Sequence, residues 1–300
     1  NSSPAPDISM TVKASFPAKL SLGSLYLADT RFPHHRNWLG DAVSEFTTDL
    51  PPGKMLGLAP GSAVDEKMVR EMADSLSIFQ SMDLSTVRYS ARILAEIAEL
   101  KEIRELRLDF TPFDDNHIAS LRSLDKLSTL WLLFTAISNK GLKNLAQLNA
   151  LEHLVIKNTE ISDAGLIHLS EFKSLKTLIL PSQISDKGFE ELSDLKTLLH
   201  LDASLSKITD DGVSSLGKIE SLQSLYLSDT KVTDKCLDNL TSLNNLVTLY
   251  LSGTKITDKG ITKLSGLDNL SYLELRDTKV TEKGADSLRV ALPNCEVVSQ

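Results

Sequence analysis

From Phe79 onward one 24-residue unit recurs nine times, starting at Phe79, Ile103, Leu127, Leu151, Leu175, Leu198, Leu222, Leu246 and Leu270. One step is 23, where the stretch from Pro181 to Ile184 has lost a residue. The unit at Leu246 is the clearest, with Leu249, Leu251, Thr254, Ile256, Thr257, Asp258, Gly260, Ile261, Leu264 and Leu267 following at fixed spacing. The shared pattern is LxxLxLxxTx(I/V)(T/S)DxGLxxLxxL. A unit this short cannot bury its apolar face alone and must stack on its neighbours, so the period predicts a solenoid. Such an array grows by adding units, and 300 residues are expected to form one elongated domain.

Within a unit, Leu249 and Leu251 stand two residues apart and point to one face of a strand while Tyr250 points to the other. The threonine at the ninth position (Thr111, Thr135, Thr159, Thr230, Thr254 and Thr278, with Ser206 among them) is expected to bond the backbone of the next coil. The pairs Ser162-Asp163, Thr209-Asp210 and Thr257-Asp258 read as helix starts, where a short oxygen-bearing side chain caps free amides. Leucines at positions 16, 19 and 22 form the inward stripe of a short helix. Stacked strands then make a parallel sheet and stacked helices an outer layer, and the bulkier helices force the sheet to the concave side.

These repeats resemble the leucine-rich repeat family, closest to its ribonuclease-inhibitor-like and cysteine-containing subclasses, in a variant familiar from bacterial proteins. The likeness covers about three quarters of the chain. It implies an α/β solenoid, a right-handed horseshoe with the parallel sheet on the concave face and short helices on the convex face, that binds a protein or peptide in its concavity. Family membership alone does not name the partner.

The expected organisation is a tether or cap strand over 1–19, a cap of degenerate repeats with an insertion over 20–78, nine repeats over 79–291 and a capping half-repeat over 292–300. Leu22, Leu25, Leu27, Thr30 and Phe32 copy the repeat (compare residues 21–30 with 221–230), but residues 33–54 break the register. A second degenerate unit runs from Met55 through Val64 and Asp65 to Met72. The opening Asn1-Ser-Ser-Pro-Ala-Pro is polar and aperiodic, like the tether left by a removed signal peptide, so an extracytoplasmic or secreted location is expected, with a cytoplasmic one as the alternative.

Composition excludes several classes. A net charge of −8 with 5% aromatics argues against nucleic acid, which needs clustered cations. No run of about 18 apolar residues offers a membrane span. Cys236 and Cys295 are more than two repeats apart, over roughly 10 Å, and read as separate buried thiols. The stretch from Gly212 to Lys218 approaches a phosphate-binding loop, but Ile219 follows where a metal-ligating hydroxyl belongs, and its residues are ordinary repeat positions. His153 and His200 share a row with Thr177 between them, roughly 10 Å apart and too far to share one ion. His34 and His35 belong to the insertion and read as a loop. Lys207, Lys231, Lys255 and Lys279 recur beside Asp210, Asp234, Asp258 and Glu282, which makes a mixed, solvated rim. No cofactor or metal is implied, and no nucleophile with a base and an orienting partner can be named.

The concave fifth position is the informative row: Asp83, Arg107, Trp131, Val155, Ile179, Asp202, Tyr226, Tyr250, Glu274. Aromatics rimmed by charges are what binding hot spots use. The expected partner site is Arg107, Trp131, His153, Val155, Ile179, His200, Asp202, Tyr226 and Tyr250, with Trp131 and Tyr226 as anchors; Phe110, Phe134 and Leu205 either join it or fold into the loop edge. The function expected is a non-enzymatic, monomeric protein- or peptide-binding scaffold. The alternative is a substrate-recruiting subunit of a ligase-like complex or a host-directed effector, since similar ITDxGL repeats occur in F-box proteins.

Overall fold

In a computed structural model the chain divides into two compact units, Asn1–Thr135 and Ala136–Gln300. The structure describes residues 10–15, 23–29, 36–42, 45–61, 65–71, 73–85 and 91–299. Of the tether or cap strand expected over 1–19 only residues 10–15 are described, and Leu22, Thr30, Phe32, His34, His35, Val64 and Met72 lie outside the described residues.

The N-terminal unit holds β1 (Met10–Ser15), β2 (Gly23–Asp29), β3 (Arg36–Asp41), β4 (Glu45–Leu50), β5 (Lys54–Pro60), β6 (Ser81–Asp83), β7 (Glu105–Arg107) and β8 (Thr129–Trp131). Strands β1 and β4 form an antiparallel ribbon. In the main sheet β5, β6, β7 and β8 run parallel, and β2 is antiparallel to both β5 and β3. The segment that copies the repeat sequence, Leu25 to Asp29, is therefore not a solenoid strand but an antiparallel cap strand. Its side chains explain the departure. Tyr26 is fully buried with its ring over Gly57 of β5, where an added Cβ would stand 2.1 Å from a ring carbon. Repeat tyrosines such as Tyr226 are only half-buried.

The C-terminal unit is a regular stack. Its strands β9 (His153–Val155), β10 (Thr177–Ile179), β11 (His200–Asp202), β12 (Ser224–Tyr226), β13 (Thr248–Tyr250), β14 (Tyr272–Glu274) and β15 (Glu296–Val298) pair in parallel and in sequence order. The middle leucine of each strand (Leu178, Leu201, Leu225, Leu249, Leu273) is fully buried, and Leu227, Leu251 and Leu275 beside them are too. Each such side chain contributes about 1.5–3 kcal/mol. The outer layer differs from a row of α-helices. Asp163–Leu166 is one α-turn, and Ile167–Glu171 continues it as a 3₁₀ helix. Buried Leu166, Leu169 and Phe172 are spaced by three, which matches the three residues per turn of a 3₁₀ helix and drifts around an α-helix.

Two structural motifs correct the sequence reading. The ninth-position threonine hydroxyls bond their own coil, three residues back, not the next one: Thr135 to the Leu132 carbonyl at 2.8 Å, Thr159 to Ile156 at 2.7 Å, Thr254 to Leu251 at 2.6 Å, while the buried Ser206 hydroxyl has no partner among the described residues. The serine or threonine before the aspartate is chiefly a link between coils and only secondarily a cap. The Asp186 carboxylate accepts the Thr209 amide and hydroxyl, each at 2.8 Å, Asp210 does the same for Thr233 and Asp234 for Thr257. Ser162, Ser185 and Thr257 make no side-chain cap bond, whereas Thr209 does. The glycine two places after each aspartate completes this joint, since a Cβ on Gly212 would meet the Asp186 carboxylate at 2.5 Å. Where Cys236 replaces that glycine, the helix begins at Cys236 and not at the aspartate.

Cys236 and Cys295 are buried and unpaired, and burial raises both thiols, Cys295 to about 11. Among the described residues no helix is long and apolar enough to cross a membrane.

Candidate functional site

Strand alternation turns the third and fifth residues of each repeat away from the leucine core. In-register pairing then lines them up across the C-terminal unit: Val155, Ile179, Asp202, Tyr226, Tyr250 and Glu274 in one row, and His153, Thr177, His200, Ser224, Thr248 and Tyr272 in the other. Val155 is buried and Ile179 half-buried. The His153 ring nitrogen lies 2.8 Å from the Thr177 hydroxyl, and burial lowers the pKa of His200.

The tyrosines form a stack. Tyr226 and Tyr250 have ring centroids 4.6 Å apart at 20°, and Tyr250 and Tyr272 are 5.2 Å apart at 35°. Neighbouring parallel strands are about 4.8 Å apart, which is also the spacing of stacked rings, so the sheet itself sets the ladder. Tyr250 packs against both other rings, whereas Tyr226 and Tyr272 each pack against Tyr250. Tyr272 stands in the third-position row with His153 and His200 but is absent from the site expected from sequence; its ring packing on Tyr250 brings it in. It also anchors Glu274, donating to Oε2 at 3.0 Å, while Ser252 and Arg276 reach Oε1 at 3.2 and 3.4 Å. Desolvation and the Glu274 bond push the Tyr272 hydroxyl up to about 12. At the other end the stack stops at Tyr226. The next residue in the row is Asp202, whose Oδ1 accepts the Ser204 amide at 2.8 Å and whose Oδ2 lies 3.6 Å from Lys157 Nζ. Burial, then Tyr250 and Asp202, raise the Tyr226 hydroxyl.

The N-terminal unit places the remaining two candidates together. The Arg107 guanidinium lies 4.2 Å from the Trp131 ring centroid and donates through Nε to Asp109 at 2.7 Å. One ring face of Trp131 is thereby covered by the chain itself, and its Nε1 is buried without a hydrogen-bond partner among the described residues. On the same sheet, Arg36 of β3 stacks 4.2 Å over Tyr26 and pairs with Asp83 and Glu105, and Ser81 bridges the Tyr26 hydroxyl and Glu105. Asp83, expected as an open end of the concave row, is held in this network. Phe110 and Phe134 are 64% and 53% exposed and stack at 5.0 Å. Both, and Leu205 in the C-terminal unit, occupy the left-handed region at φ 57°, 54° and 69°, where other repeats place Asn158, Asp229 or Gly253. Sequence spacing alone does not reveal that backbone state.

Stacked parallel strands with buried leucines, hydroxyl turns and short outer helices define an α/β leucine-rich repeat solenoid. A family model described as Leucine Rich repeat matches residues 194–217 and 242–265. Internalin C2 of Listeria monocytogenes is similar over 62% of this chain and 84% of its own, at 25% identity and a TM-score of 0.50. Internalin F of the same organism covers 81% of this chain and 85% of its own at 17% identity and a TM-score of 0.50, a likeness of fold alone. No curated protein matches the chain significantly. The matched units are leucine-rich repeats, and the solenoid is similar in fold to these two bacterial internalins.

Proposed function

We propose that the protein is a non-enzymatic scaffold that binds a protein or peptide through the exposed sheet face of its repeats. The observation that carries this is the tyrosine stack of the C-terminal unit: three large rings held outside the leucine core, flanked by Asp202 and Glu274. Rigid aromatics at a charged rim lose little entropy on binding. Tyr226 and Tyr250 are the proposed contacts, with His200 and Asp202 beside them and His153, Val155 and Ile179 toward the other end of the rows. Arg107 and Trp131 are proposed as a separate contact element on the sheet of the N-terminal unit. The test is the dissociation constant of a partner captured by the intact chain. Tyr226→Ala and Tyr250→Ala should each weaken it by about 1–4 kcal/mol with the fold intact, and Lys255→Ala on the rim should leave it unchanged. Sensitivity to Lys255 alone would refute the assignment.

A further inference from the structure

We propose that the free end of the tyrosine stack receives an arginine side chain of the partner, its guanidinium lying on the Tyr226 ring and paired with Asp202. The inference rests on the sheet face being the binding surface and adds the chemistry of the group it takes.

The step in the row makes the place. Asp202 and Tyr226 are in-register neighbours, and the aspartate is much the shorter side chain, so the ladder of rings drops by one rung at Asp202. A planar cation above that carboxylate stands one strand spacing, about 4.8 Å, from the ring face, within reach of a cation–π contact.

The chain already builds this arrangement twice. In the N-terminal unit Arg107 and Trp131 are also in-register neighbours, with the guanidinium 4.2 Å from the ring centroid and Asp109 holding its Nε. Arg36 lies at the same 4.2 Å over Tyr26, with Asp83 and Glu105 as its carboxylates. At Tyr226 the ring and the carboxylate are present, and among the described residues no guanidinium completes them.

The nearest cation is Lys157, 3.6 Å from Asp202 Oδ2. That is a long, partly exposed pair of a kind worth little, and an ammonium cannot supply the planar fork that matches a carboxylate and stacks on a ring. A net charge of −8 favours a basic partner in general, so the test has to separate this rung from diffuse attraction.

The probe is the blocked pentapeptide Gly-Gly-Arg-Gly-Gly, titrated into the full chain carrying ring-labelled tyrosine and followed by NMR. A saturable shift of the Tyr226 signal is expected, smaller at Tyr250. The citrulline peptide, of the same shape without the charge, should bind at least tenfold more weakly. Asp202→Asn should cost a similar factor, Asp268→Asn should cost nothing while removing the same charge from an exposed turn, and Lys157→Ala should tighten binding by unburdening Asp202. Equal binding of the two peptides, or equal loss with Asp268→Asn and Asp202→Asn, would overturn the inference. If partner binding needs Tyr226 and Tyr250 but ignores Asp202, sheet-face binding stands and the arginine rung falls. Indifference of the partner to both tyrosines removes the two together.

Discussion

Gly212 shows how much a single residue carries in this fold. It stands where the backbone of one coil closes on the Asp186 carboxylate of the coil before, and its own amide donates to Asp186 Oδ1 at 3.0 Å. A methyl group there would have to displace the carboxylate that also holds Thr209. Gly212→Ala should therefore destabilise the protein by about 1–3 kcal/mol, as overpacking does. Gly266 is the control: a Cβ there meets nothing within 4 Å, and Gly266→Ala should be neutral or stabilising by up to about 1 kcal/mol. Equal effects of the two in urea denaturation would show that helix propensity, not the close approach, governs these glycines. The exposed Phe110 and Phe134 make the opposite case. They accept a left-handed backbone that costs an apolar residue about 1–3 kcal/mol, and their stacking offsets only part of it.

At the scale of elements, the carboxylate links join each outer turn to the next. The last of them is Asp258, which accepts the Thr281 amide and hydroxyl, each at 2.7 Å, and these bonds hold its pKa below the ordinary value. The folded state thus takes up this proton less readily than the unfolded chain. The bond's contribution is present above the unfolded pKa, about 3.9, and is lost as the pH falls through it toward the lower folded value. The chain contains its own neutral version of the joint. Asn139 accepts the Ser162 amide through Oδ1 and donates to its hydroxyl through Nδ2, both at 2.9 Å. Asp258→Asn should accordingly keep the melting temperature near the parent value at pH 7 and lose less of it on acidification below about pH 4. A variant that tracks the parent at every pH would show that Thr281 does not feel the charge.

For the C-terminal unit as a stack, stability is a sum over neighbours, and an end matters through what it covers. Strand β15 closes the C-terminal unit: Leu275 donates to the Val298 carbonyl at 2.7 Å, Glu296 to Ser271 at 2.8 Å, and Leu292, Cys295 and Val297 are buried beneath. Deleting the residues from Leu292 onward should cost on the order of 3–6 kcal/mol from Leu292 and Val297 alone. Hydrogen exchange should show the loss concentrated in β14 and β13, with β9 and β10 protected as before. Uniform loss across the unit would mean that it unfolds as one body and not repeat by repeat.

Period and residue type sufficed for the strand at positions three to five, the buried leucines beside it, and the outward rows that carry Asp202, Tyr226 and Tyr250, but not for the ninth-position hydroxyls, which bond within their own coil. The strand, the leucines and the rows follow from alternation and from burial, which act locally. What depends on contact between coils was not legible. The hydroxyl of Thr257 finds the preceding coil's Asp234, Tyr272 joins a stack from a different row, and Leu25 to Asp29 runs antiparallel despite its repeat-like letters because Tyr26 is drawn beneath Arg36. A one-dimensional pattern records which face a side chain takes, whereas hydrogen bonds, ring stacks and ion pairs select partners by distance, and only the folded chain sets those distances.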